Sequence, residues 1–327
     1  MEYGISSISE FQDFVPGADG TTVADLSPNA VSALLFSLEA TLDVDNKAPL
    51  LAWFQNIVTR CEVKVNGAPV IDLNGEELLA YAAITAGKRP IYMNMAEGDN
   101  NIVTLNFVVP FARDIFAGKE GLAAGKKGDK TLTLTYDDDQ AALYDAIRIN
   151  VAQIVLPTAS PSHSIKVLRQ DFTPTGTGLA KFAITREGEL IDLMLWATTV
   201  PSTTASTATL DYIGIYENEK PLNVFDLRWE SLKALFMLRV GGGMGFSQHT
   251  HELAAASYAQ NMDTTDPSQN ADDFENWAVL PFGSISDDYL KPIGGLESFE
   301  LQANCGDTNA FKIMAVRRVP VAELISH

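Results

Sequence analysis

Residues 71–81, IDLNGEELLAY, and residues 225–235, FDLRWESLKAL, agree at five of eleven positions: Asp72/Asp226, Leu73/Leu227, Glu76/Glu230, Leu78/Leu232 and Ala80/Ala234. The offset between them is 154 residues. VVPF at 108–111 matches VLPF at 279–282 with an offset of 171 at the proline. IRINVAQIVLP at 147–157 lines up with FKIMAVRRVPV at 311–321 through Ile149/Ile313 and Val155/Val319. One alternating apolar stretch resembles any other, but three blocks in the same order imply an internal duplication, and repeats constrain architecture before any local motif does. The change of offset places 17 additional residues between the first and second blocks of the second half.

Each half reads as a series of short strands. SALLFSLEATLDV, CEVKV, NIVTLNFVV, TLTLTY and AIRINVAQIV are rich in β-branched residues, several with the period-2 alternation of a strand that buries one face. SIKVLRQDF, LAKFAITRE, LIDLMLWATTV, TLDYIGIYE, NWAVLPF, ESFELQA and AFKIMAVRRV answer them in the second half. Helical signal is local. DLNGEELLAYAA offers Asp72 or Asn74 as an N-cap with acidic residues in the first turn, and RWESLKALFML is its counterpart. PFARDIFAG at 110–118 reads as a third short helix, and Ile5, Ile8, Phe11 and Phe14 suggest an amphipathic helix over 5–14. The expected fold is all-β: two tandem eight-stranded jelly rolls, each a β-sandwich, with short inserted helices. The divisions are an N-terminal arm at 1–30, a first roll at 31–158 and a second at 159–327 with a long insert at 238–275. PTASPSHS at 157–164 marks the break between the rolls.

The chain carries 23 basic and 42 acidic residues, a net charge of −19, which disfavours direct nucleic-acid binding in the absence of a basic patch. No apolar run is long enough to cross a membrane as a helix, and the first residues lack the pattern of a signal peptide. Cys61 and Cys305 lie in strand-like segments and read as buried thiols.

The segment GGGMGFSQHTHE at 241–252 looks most like chemistry. Gly243, His249 and His251 satisfy the first spacing of a cupin metal motif, G-x5-HxH. Glu252 then falls directly after His251 instead of three or four residues further on, and the later histidine is His327 at the end of the chain. With His163 the remaining candidate, a three-ligand site is not assembled, and the segment reads as a Gly-hinged surface loop. GxSxG and Walker A patterns are missing. Asp137, Asp138 and Asp139, and Asp272, Asp273 and Glu275, form acidic clusters without EF-hand spacing. Trp53, Trp196, Trp229 and Trp277 read as core side chains. No catalytic, cofactor-binding or metal-binding residue is assigned and no cofactor is expected; structural divalent cations remain an expectation tied to the acidic surplus.

The paired strand-to-helix segments, the paired VVPF and VLPF strand ends and the unequal loops after them resemble the double jelly-roll major capsid proteins of tailless icosahedral viruses. That resemblance spans about Val31 to Val321. It implies a non-enzymatic structural protein of the virion shell, made in the host cytoplasm. Its implied partners are two further copies in a pseudo-hexagonal homotrimer, neighbouring trimers, minor capsid and vertex proteins, and an underlying viral membrane. The alternative is a two-domain jelly-roll enzyme or carbohydrate-binding protein with a groove in or between the rolls.

Overall fold

Alternation in the sequence becomes alternation of burial. In a computed structural model, the strand Lys130–Tyr136 and the strand Phe299–Cys305 each bury every second residue, as expected where one face packs on a core. The structure describes residues 2–16, 19–42, 55, 57–88, 90–93, 100–137, 144–201, 207–240, 274, 276–283 and 290–325.

The first half contains β1 (Gly4–Ser7), β2 (Gly20–Asp25), β3 (Ala30–Leu42), β4 (Val58–Val65), β5 (Ala68–Leu73), β6 (Ile91–Met93), β7 (Ile102–Pro110), β8 (Lys130–Tyr136) and β9 (Tyr144–Leu156). The second contains β10 (His163–Phe172), β11 (Gly178–Ala183), β12 (Glu189–Ala197), β13 (Tyr212–Glu217), β14 (Lys220–Arg228), β15 (Trp277–Pro281), β16 (Lys291–Pro292), β17 (Phe299–Cys305) and β18 (Phe311–Pro320). One sheet of the first half runs β1-β9-β3-β7, extended by β6, and the other runs β2-β8-β4-β5. The second half repeats both orders as β10-β18-β12-β15, with β16 added on β12, and β11-β17-β13-β14. All the pairings between these strands are antiparallel. Each half is thus an eight-stranded jelly roll, two four-stranded sheets that share a core through long connections.

The repeat blocks fall on equivalent elements. The first is the end of β5 with helix α1 (Gly75–Ala86), and the end of β14 with helix α2 (Trp229–Arg239). The prolines close β7 and β15, facing Ala33 on β3 and Asp192 on β12. Ladder detail carries the likeness further. On β3, Ser32 is the extra residue of a bulge between the pairs Val31↔Val155 and Ala33↔Ile154. On β12, Ile191 is the extra residue between Leu190↔Arg317 and Asp192↔Val316. Both hairpins that lead into the helices turn on two residues with positive φ, Asn66 and Gly67 in one, Asn218 and Glu219 in the other, the geometry whose twist suits paired strands. With the bulges as anchors, Ile149 is equivalent to Phe311, two residues from the sequence pairing with Ile313. A slip of two keeps each side chain on its face, so the pattern alone could not detect it.

Three local expectations are corrected. Residues 1–30 are not an arm: β1 pairs with β9 and β2 with β8, so they supply the first two strands of the first roll. Residues 5–14 are no amphipathic helix. Ile5 is on β1 and 60% exposed, while Ile8 and Phe11 are buried around a single 3-10 turn at Ser9–Phe11. Spacings of three fit a strand followed by a tight turn as well as a helix. Residues 111–119 are bends and turns, closed by the buried Arg113–Glu120 ion pair, because Pro110 belongs to β7 and the chain must turn away from the sheet.

Among the described residues no helix is long and apolar enough to cross a membrane. Both cysteines are buried and free. Burial raises the pKa of each thiol.

Candidate functional site

A sheet with one wet face alternates; β12 and β15 do not. Met194, Val279, Met314 and Val316 on one face of the β10-β18-β12-β15 sheet, with Trp277, join the core cluster that holds Leu78, Leu79 and Tyr81 of α1. Leu193, Leu195, Leu280, Ile313 and Ala315 on the other face fill the core of their own roll. Coverage on both faces is what lets these strands read as continuous apolar runs. The first roll therefore docks on the outer face of the second through α1, with β5 set against β10.

The N-terminus of α1 makes the polar contacts of this seam. Asn74 and Glu77 form a reciprocal capping box: Glu77 N–H donates to Asn74 Oδ1 at 2.9 Å and Asn74 N–H donates to Glu77 Oε2 at 3.0 Å. The Glu77 carboxylate, with no exposed area, also accepts from Lys312 Nζ at 2.8 Å and from Arg169 Nη1 at 3.2 Å. Its neighbour Glu76 accepts from the indole N–H of Trp196 at 2.6 Å and of Trp277 at 3.1 Å. Lys312 lies 4.7 Å from the centre of the Trp196 ring. Burial raises the Glu76 pKa, opposed by the two indole hydrogen bonds and by Lys312. Two adjacent acids from one roll thus sit in a cradle of two cations and two tryptophans from the other.

Lower in the seam, Arg239 at the end of α2 pairs with the fully buried Asp192 of β12. Burial outweighs that cation and raises the Asp192 pKa from 3.8 to about 6. The folded state holds this proton more tightly than the unfolded chain, so the contribution of Asp192 to stability is complete below 3.8 and lost as pH rises through about 6. Asp192→Asn is expected to be up to about 3 kcal/mol more stable than the native chain at about pH 7.5, at 1.36 kcal/mol per pKa unit. The gain should fade at about pH 4; thermal melts across that range check it, and a variant less stable at every pH would contradict it.

Gly243, His249, His251, Glu252 and His327 lie outside the described residues, as do Trp53, Asp138, Asp139, Asp272, Asp273 and Glu275. His163 begins β10, where its Nδ1 is 2.9 Å from Ser162 Oγ. Among the described residues no group of three potential metal ligands occurs. Trp229 and Trp277 are buried as read, and Trp196 is partly buried at the seam. The cradle itself was not anticipated. Its trace in the sequence is the adjacent pair Glu76-Glu77 in a repeat whose second copy reads Glu230-Ser231.

The paired jelly rolls, docked side by side, define the chain as a double jelly-roll protein. Solved structures with this fold include the major capsid protein P2 from Bacteriophage PM2, with TM-score 0.62, 8% identity and 98% of each chain covered. The major capsid protein of STIV matches with TM-score 0.67 and 11% identity over 98% of this chain and 97% of that one. The PBCV-1 virus capsid matches with TM-score 0.60 and 11% identity over 97% and 94%. No protein-family model and no curated protein sequence matches the chain.

Proposed function

We propose that the chain is a viral major capsid protein and that its activity is assembly. The observation that supports this reading is the end-to-end match of both rolls to capsid structures, with nearly the whole of each chain covered. The building block is a homotrimer, six rolls in a pseudo-hexagonal ring that tiles an icosahedral shell, in contact with neighbouring trimers and minor shell proteins. The seam supplies a physical route to a ring. It is a head-to-tail contact between similar units, and such contacts close into rings when the rotation permits. Light scattering on the purified chain tests the reading: the expected mass is three times the 35.4 kDa of one copy, and a stable monomer across the micromolar range would overturn it.

Each copy brings a net charge of −19, and like charges repel over a Debye length that shrinks from about 30 Å at 0.01 M salt to about 8 Å at 0.15 M. Assembly is expected to strengthen with salt or a divalent cation. Identical mass distributions at both salt levels, with and without a chelator, would contradict this.

A further inference from the structure

Among the described residues the seam is made once, and the duplication leaves the counterparts of both its halves open. In the second roll, Lys312, Trp196 and Trp277 stand side by side on β18, β12 and β15. The same row in the first roll is Asn150, Ser37 and Asn106 on β9, β3 and β7. These three line an open, largely apolar groove of about 430 Å3, floored by Leu35, Val108 and Ala152. Small residues stand here where the second roll has Lys and two Trp. The Asn106 amide nitrogen is buried in the groove without a hydrogen-bond acceptor, at the position where Trp277 donates to Glu76.

The other half is the outer face of α2. Glu230, Ala234 and Leu238, one helical stripe at i, i+4 and i+8, are exposed, Leu238 by 77%. Their equivalents on α1 by the 154-residue offset are Glu76, Ala80 and Ile84, of which Ala80 and Ile84 are fully buried and Glu76 lies in the cradle. Charge also matches: Lys88 is the charged residue on the groove and Glu230 the charged residue of the stripe.

We propose that this groove receives α2 of a second copy of the chain, whose Glu230 accepts a hydrogen bond from Asn106 as Glu76 accepts one from Trp277. The inference rests on the trimeric reading above and assigns its contact. The repeated operation places α2 of each copy on the first roll of the next. Ser231 replaces Glu77 at this contact, which fits a cradle lacking the counterparts of Arg169 and Lys312: Ser7 and Asn150 occupy those positions.

The test is cross-linking of the full chain carrying Ser37→Cys and Ser231→Cys with a short bis-maleimide; native Cys61 and Cys305 are buried and stay protected. The expected result is covalent dimers and trimers from the double variant and none from either single variant. A trimer by light scattering that fails to cross-link overturns this docking and leaves the trimer standing, whereas a monomer overturns both. As a second measurement, Leu238→Asp is expected to weaken association at least tenfold, and an unchanged dissociation constant would place α2 outside the interface.

Discussion

Glu77→Ala is expected to lower the stability of the chain by roughly 3–5 kcal/mol, the range for a buried ion pair that loses one partner. The carboxylate is fully buried and meets Arg169, Lys312 and the Asn74 backbone at once. Alanine removes the carboxylate half of the capping box together with the counter-charge of two cations, while Asn74 still accepts from the backbone N–H of residue 77. Arg169 is 38% and Lys312 20% exposed, so both regain some water, which favours the lower part of the range. Glu77→Gln keeps volume and cap and isolates the charge, with an intermediate loss. The equivalent substitution in the second roll, Ser231→Ala, removes an exposed hydroxyl and is expected within about 0.5 kcal/mol of the native chain. Urea unfolding of the three variants checks this; equal effects at Glu77 and Ser231 would remove the seam as a source of stability.

Trp277→Ala carries the second large effect, about 3–5 kcal/mol, the cost of truncating a buried aromatic side chain. Trp277 is fully buried, and its ring belongs to the cluster shared by both rolls. Trp277→Phe keeps most of that packing and removes the indole donor to Glu76. Trp196 still donates to the same carboxylate oxygen, so the variant loses one of two hydrogen bonds, about 0.5–1.5 kcal/mol, and the already raised Glu76 pKa should rise further. The phenylalanine variant should therefore recover stability toward low pH, where Glu76 is protonated. A pH-independent deficit would show that the indole serves packing alone.

The duplicated elements were legible because burial wrote a strong period into them. The β5-α1 and β14-α2 segments and the prolines of β7 and β15 fall where the repeat predicts, and the apolar runs of β9 and β18 fall on equivalent strands two residues out of the predicted register. β1 and β2 escaped notice for the opposite reason. GISS is exposed at all four positions and GTTVAD buries one residue fully, so neither shows an apolar face. The cradle was hidden by distance: Glu76 meets Trp196 and Trp277 across 120 and 201 residues. Only the docking of one roll on the other brings them together. Nor does composition separate a tryptophan that fills a core from one that also binds a carboxylate.

In the proposed capsid building block, two docked jelly rolls form one third of a closed ring. Electron micrographs of the purified, unmodified protein test it most directly. Class averages with six densities of similar size around a threefold axis are the predicted result, and particles of two densities without further association would contradict it.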